Sequence, residues 1–242
     1  MNQGTDVIVV GAGAIGLTAA LELAQAGASV RLIEKNRCGR EASWAGAGMV
    51  IPGNLLKAAT PEARLRALSF ELWPTLSEQL KAETGIDNEF RTCGAIEARF
   101  EPGALDDDAQ RWREEGVDVS LLDAATLRSL EPAVSSEVQS AYRLPAMSQV
   151  RNPRHLRSLQ LACESLGIVI QEEAEVAEFV KTGERVTGVR TKDKLYSADQ
   201  TCVCAGAWTG RLLEGTEFSF PIEPVRGQMV ICLLYTSPSP RD

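Results

Sequence analysis

Residues 7–34 run through a strand, a glycine turn, a helix, a second strand and an acid without interruption. Val7-Ile8-Val9-Val10 leads into Gly11-Ala12-Gly13-Ala14-Ile15-Gly16. A helical pattern over Leu17–Ala26 is stopped by Gly27, and Ser29-Val30-Arg31-Leu32-Ile33 then ends on Glu34. That order is a complete dinucleotide-binding βαβ unit rather than an isolated glycine turn. Gly11 permits the tight turn, Gly13 lets backbone approach a pyrophosphate, and Gly16 lets the helix pack closely on the strand. Ala14 and Ile15 open the helix, whose unpaired N–H groups and partial positive charge face the phosphates. Glu34, with Lys35 beside it, stands where a carboxylate accepts from a ribose 2′-OH, and its charge disfavours a 2′-phosphate. The unit alone does not separate NAD from FAD.

Two further stretches narrow the choice. Arg37-Cys38-Gly39-Arg40-Glu41-Ala42-Ser43-Trp44-Ala45-Gly46-Ala47-Gly48-Met49-Val50 is a long Gly/Ala-rich loop directly after the second strand. Small side chains there let backbone N–H groups crowd a bulky ligand. Far downstream, Thr201-Cys202-Val203-Cys204 is a short strand running into Ala205-Gly206-Ala207-Trp208. With these stretches, and with Pro224-Val225-Arg226-Gly227-Gln228, the chain resembles the D-amino-acid-oxidase superfamily of flavoproteins. Within it, the chain looks closest to the glycine oxidases of thiamine biosynthesis. The resemblance runs from about Asp6 to about Ile231.

The resemblance implies FAD as cofactor, a small amine or amino acid as substrate and dioxygen as acceptor. It implies that Arg40 and Ser43 contact the flavin phosphates or ring edge. Ala47, Gly48 and Met49 would lie beside the isoalloxazine ring, Met49 as a wall of the substrate pocket. Val176 would hold the adenine through backbone, and Ala205-Gly206 would close on the cofactor. Each has a plainer alternative: a solvated loop arginine for Arg40, and core packing for Met49 and Val176. Trp44 and Trp208 read as packing residues. Alternative functions are a dehydrogenase passing electrons to a quinone, the FAD domain of a tRNA-modifying enzyme, and a fragment that does not fold.

The expected fold is α/β, a Rossmann-like FAD-binding domain interleaved with an antiparallel-sheet α+β substrate domain. The cofactor domain takes residues 1–60 and 150–215, the substrate domain 61–149 and 216–231. Thr60-Pro61-Glu62 starts a helix that runs to Thr84 and stops at Gly85, with Leu65, Leu68, Leu72, Leu76 and Leu80 as its apolar stripe. Residues 90–100 read as a strand pair broken near Gly94, and Glu101-Pro102 opens a helix to Glu115. Residues 117–122 form a strand, Asp123 caps a short helix, and 140–144 is a strand. Asn152-Pro153 starts the next helix, with His155 an ordinary first-turn residue. Ile168-Val169-Ile170 is a buried strand, 174–181 and 185–191 form a hairpin, and Val225–Ile231 is the last strand.

A net charge of −8 disfavours nucleic acid and anionic membrane as partners. No apolar run reaches a membrane span, and the N-terminus carries no secretory signal, so a cytoplasmic location is expected. Oligomeric state is left open; the parent could be a homo-oligomer. Cys38, Cys93, Cys163, Cys202, Cys204 and Cys232 are scattered without a CxxC pair, and His155 is the sole histidine. Metal ligation and a Ser-His-Asp triad are both disfavoured.

Residues 232–242, Cys-Leu-Leu-Tyr-Thr-Ser-Pro-Ser-Pro-Arg-Asp, break the pattern of a strand. Their back-translation matches a transposase sequencing adapter read in one frame, so a non-native tail is expected. The resemblance then implies that the chain is a truncated piece of its parent, expected to be inactive for want of the later segment that in relatives supplies the arginine pairing with the substrate carboxylate. Pro238 and Pro240 with their neighbouring serines offer no apolar face to bury. Deleting Cys232–Asp242 should leave the melting temperature and solubility unchanged; a clear loss of stability would show that the tail belongs to the fold.

Overall fold

A computed structural model of the chain describes residues 5–103 and 105–227. The expected tail and residues 228–231 lie outside them. The fold divides into two compact units, one from Met1–Ala47 and Cys163–Asp242, the other from Gly48–Ala162. The chain thus leaves the first unit and returns, with crossings at 47/48 and 162/163 where the sequence places them at 60/61 and 149/150, and residues 216–227, expected in the second domain, group with the first unit.

The first unit opens with β1 (Thr5–Val10), in which Val7, Ile8, Val9 and Val10 are all buried. A continuous apolar run is what a strand covered on both faces requires. α1 (Ala14–Gln25) buries Gly16, Leu17, Ala20 and Leu21, one stripe at helical spacing. It ends at Gly27, whose φ of 96° is open to glycine at no cost. β2 (Val30–Ile33) runs parallel to β1, with Leu32 opposite Val9. α2 (Ala42–Ala45) is a single turn in the following loop.

The second unit holds β3 (Met49–Val50), α3 (Pro61–Thr84), β4 (Arg91–Thr92), β5 (Ala95–Arg99), α4 (Asp106–Glu114), β6 (Ser120–Leu122), α5 (Ala124–Leu130), β7 (Ser140–Leu144) and β8 (Ser148–Gln149). α6 (Asn152–Ser165) leads out of it. The ends of α3 fall where its capping residues put them. Thr60 Oγ1 accepts from Ala63 N–H at 3.1 Å, and Gly85 turns left-handed at φ 72°. Its inward face takes in only part of the leucine stripe. Ala63, Ala67, Ser77 and Leu80 are buried, while Leu65, Leu68 and Leu72 are exposed. Close approach explains the first half: a Cβ on Gly53 would lie 2.7 Å from the Ala67 Cα, so small residues face inward there and Leu65, Leu68 and Leu72 are left outside, while Leu80 further along is buried as expected.

Gly94, at φ 73°, separates β4 from β5 more completely than a broken pair. β4 joins the sheet β3-β8-β4, and β5 joins β5-β7-β6. α4 begins at Asp106 rather than at Pro102, because Gly103 adopts φ 68° and a helix cannot run through it. Asp106, Asp107 and Asp108 then occupy the first turn, where carboxylates favour the helix dipole. Val117 and Val119 enter the core with Leu105, Ala109, Tyr142, Leu144 and Met147, ahead of the short β6. Asp123 caps α5 as expected, accepting from Thr126 N–H at 2.7 Å.

The first unit resumes with β9 (Val169–Gln171), β10 (Val176–Thr182), β11 (Arg185–Thr191), β12 (Leu195–Val203), a 3-10 turn at Gly206–Trp208 and α7 (Thr209–Leu212). The sheet order is β10-β11-β12-β1-β2-β9. β12 is longer than expected because it does two things: Leu195–Ser197 pairs antiparallel with β11, and Ala198–Val203 pairs parallel with β1. β9 is an edge strand with Val169 exposed, not a buried one. Ile8, Val10, Ile33, Val189, Tyr196 and Ala198 form this unit's core, with Val176 and Leu212 packed against it. Residues 225–227, the described part of the expected last strand, form no strand, and Val225 is exposed.

His155 departs from its plain reading, being 5% exposed in the second unit. Its Nδ1 is 3.2 Å from Asn88 Nδ2, which also donates to Ser77 Oγ at 3.1 Å. Asn88 Oδ1 accepts from Phe90 N–H at 3.1 Å. The amide is therefore fixed with its NH2 toward the imidazole, and Nδ1 must accept. The Trp73 ring covers the imidazole at 4.7 Å between centroids. Burial lowers His155 from 6.5 to about 4. The unfolded chain thus takes up this proton first as pH falls, so the stabilisation is full above pH 6.5 and is lost between 6.5 and 4. Between pH 7 and pH 5 the loss should be about 2 kcal/mol. Urea unfolding at the two pH values should show that drop in wild type and a much smaller one in His155→Gln; equal drops would place the titration elsewhere.

Candidate functional site

The glycine turn lies where β1, α1 and the end of β12 meet. Gly11 has φ 103°, and a Cβ on it would overlap the Cys204 carbonyl oxygen; a Cβ on Gly16 would overlap the Gly11 carbonyl. Backbone fills both spaces, which is why both are glycine. Gly13 differs. A Cβ there would meet only Ser43 Oγ, at 3.1 Å, and Gly13 lines a cavity. The Ser43 hydroxyl accepts from Ala14 N–H at 3.0 Å, so the loop after β2 caps the start of α1.

Glu34 is 6% exposed. Its Oε2 accepts from Ala12 N–H at 2.8 Å and its Oε1 from Asn36 N–H at 2.9 Å. The carboxylate ties the end of β2 to the glycine turn. Each oxygen keeps a further lone pair, so it can also accept from a ligand hydroxyl. Lys35 Nζ stands over the Trp208 ring, 3.2 Å from its centroid.

The cavity measures about 630 Å³, and every lining residue belongs to the first unit. Of the residues singled out by sequence, Gly11, Gly13, Ala14, Ile15, Glu34, Lys35, Ser43, Val176, Ala205 and Gly206 line it. Val176 does two things, packing against the core and facing the cavity. Gly16, Arg40, Ala47, Gly48 and Met49 are not on this wall. Gly16 packs against Gly11, and the Arg40 guanidinium lies over Trp44 at 3.7 Å. Gly48 and Met49 belong to the second unit. Gly48 takes φ 76° where its carbonyl accepts from Val150 N–H at 2.8 Å, and Met49 is 63% exposed on β3.

Cys204, Trp208, Lys192 and Arg211 are among the lining residues that sequence does not assign to the cofactor. Trp208 had a signal, its place beside Ala205-Gly206. Lys192 and Arg211 had none, since a polar residue on a surface turn or in a four-residue helix is the ordinary case. Among the described residues, no cluster of His, Cys, Asp or Glu could hold a metal, and no helix is long and apolar enough to cross a membrane. Burial pushes the Cys38 and Cys163 thiols up to about 12, which suits packing rather than reaction.

The family model for DAO, FAD dependent oxidoreductase, matches residues 6–240. The chain belongs to this family. As a member of the FAD-dependent oxidoreductases it is 35% identical to a glycine oxidase of Pseudomonas putida over 230 residues, covering 93% of this chain and 62% of that one. It is 29% identical to a D-amino acid dehydrogenase of Methylobacterium radiotolerans, covering 91% of this chain and 65% of that one. The fold superposes on the crystal structure of glycine oxidase from Bacillus cereus with a TM-score of 0.79 at 26% identity, covering 86% of this chain and 57% of the other. The chain therefore spans about 62% of the curated glycine oxidase's length.

The cofactor of this family of oxidoreductases is FAD, and the residues present fit it. The cavity has the size of a cofactor pocket. The glycine turn exposes backbone at Gly13, α1 presents its N-terminus at Ala14 and Ile15, and a buried carboxylate stands at the end of β2. Glu34→Gln replaces one acceptor oxygen by an NH2 group that must face a backbone N–H. Stability should fall by about 1–3 kcal/mol and FAD affinity by about tenfold to a hundredfold. Flavin fluorescence titration and urea unfolding measure the two separately; an unchanged dissociation constant beside lowered stability would make Glu34 a scaffold residue only.

Proposed function

We propose that the protein is an FAD-dependent oxidase of a small amine or amino acid such as glycine, with dioxygen as electron acceptor. The observation that carries this is the 35% identity to a glycine oxidase over nearly the whole chain, joined to a cavity that fits the dinucleotide. FAD, when bound, supplies the two-electron acceptor for the substrate's α-carbon. The chain's own contribution, on this reading, is to bind and orient. Glu34 and Val176 hold the adenosine end, while Gly13, Ala14, Ile15 and Ser43 hold the pyrophosphate. Ala205 and Gly206 close on the cofactor with backbone. Arg40, Ala47, Gly48 and Met49 are proposed for the flavin phosphates and ring.

Hydride removal from an amino acid needs the amine neutral and the α-carbon aligned, not a side-chain acid or base. That agrees with a histidine buried in the second unit and engaged by Asn88. The imine formed from glycine suits the thiazole chemistry of thiamine biosynthesis, and the resemblance to glycine oxidases of that pathway supports this place for it. A second reading, a D-amino acid dehydrogenase passing electrons to a quinone, is favoured by the Methylobacterium relative. The two differ in acceptor. The full-length protein, given glycine, sarcosine or D-alanine in turn, should release hydrogen peroxide from at least one under air. Turnover only with an added quinone would favour the dehydrogenase, and turnover with neither would defeat both.

A further inference from the structure

Cys202 and Cys204 flank Val203 at the end of β12, two residues apart and so on one face. Their sulfurs are 3.7 Å apart, and both residues are half-buried. Cys204 is also where β12 meets the glycine turn. Its N–H donates to the Val10 carbonyl at 2.8 Å. Its carbonyl fills the space a Gly11 side chain would need, and its Cβ would stand 3.4 Å from one on Gly16. It lines the cofactor cavity as well.

We propose that Cys202 and Cys204 form a peroxide-oxidisable dithiol whose disulfide loosens FAD, linking cofactor occupancy to the oxidation state of this strand end. Burial, and then the neighbouring Cys202, push the Cys204 thiol up to about 12, so Cys204 is assigned the second, resolving step. Cys202 sulfur attacks one oxygen of hydrogen peroxide. The O–O bond breaks, giving a sulfenic acid and one water. Cys204 sulfur then displaces hydroxide from the sulfenic sulfur, and its proton leaves with that hydroxide as a second water. Two thiols are oxidised to one disulfide while one peroxide is reduced to two waters.

The link to FAD is mechanical. A disulfide requires the sulfurs to close to about 2.0 Å. Two residues along an extended strand span about 6.6 Å, the upper end of the Cα separation a disulfide tolerates, so backbone must shorten as well. At Cys204 there is no slack, because Gly11 and Gly16 already pack against it without side chains. Shortening there displaces the turn that carries Gly13. By reciprocity, FAD that holds the turn in place must favour the dithiol.

This inference rests on the family's cofactor and not on the oxidase reading, because the test supplies peroxide from outside. The 242-residue chain, with and without FAD, is treated with hydrogen peroxide and then mapped by peptide mass spectrometry. The expected result is loss of two hydrogens within the peptide bearing Cys202 and Cys204, and in a glutathione redox buffer saturating FAD should shift the dithiol–disulfide equilibrium about tenfold toward the dithiol. The oxidised chain should bind FAD about tenfold more weakly by flavin fluorescence, and dithiothreitol should restore the affinity. Cys202→Ser should keep its FAD affinity through the same treatment. Dithiothreitol reversal in the unmodified chain tests the link without any variant. Over-oxidation of Cys202 alone, a disulfide to any other cysteine, or equal FAD affinity before and after oxidation would each overturn the proposal.

Discussion

Contact between bare backbone segments at the glycine turn is the constraint on which the rest of the first unit depends. Gly11 and Gly16 touch with no side chain between them, and the Cys204 carbonyl occupies the remaining space beside Gly11. That approach sets how close α1 lies to β1. It also fixes where β12 ends, since Cys204 N–H is bonded to Val10. A methyl group at Gly11 or Gly16 would have to push apart backbone on both sides. Interiors packed at crystal density transmit such a displacement rather than absorb it.

Glu34 works against the same constraint from the opposite side. A carboxylate this buried would be costly unless its oxygens were engaged. Ala12 and Asn36 N–H supply the partners, and the geometry of the turn brings them there. The residue that sequence assigns to a ribose is therefore also a structural strut. On the function proposed above, cofactor recognition and the local fold share this one side chain, and a change at Glu34 would be felt in both.

What sequence could reveal follows from what is local. The βαβ unit, the caps of α3 and α5, and the hairpin of β10 and β11 all depend on residues within a few positions of each other, and all appear close to where the pattern puts them. The misread face of α3 is not local. Periodicity groups Leu65, Leu68 and Leu72 correctly on one side, but the close approach of Gly53 to Ala67 decides that the small residues go inward. Hydrophobic spacing identifies a stripe and cannot say what covers it. His155 escaped for the same reason: Asn88 and Ser77, which define its surroundings, lie on other elements. At the site, the glycines and Glu34 were legible because each is demanded by backbone geometry. Lys192 and Arg211 reach the cavity through the course of the chain in three dimensions, which no spacing encodes.

The confinement of the cavity to one unit bears on how function is divided. Its walls come from residues 10–43 and 174–222, the two stretches that the sheet order β12-β1-β2 sets side by side. The residues proposed above for the adenosine and pyrophosphate ends of the cofactor all belong to that unit. Those groups are indifferent to which substrate is oxidised. Relatives named for different reactions, glycine oxidase and D-amino acid dehydrogenase, match over 93% and 91% of this chain, and so over both units. A fold shared across these reactions does not name the substrate, which is decided by particular side chains of a site rather than by the fold that carries it.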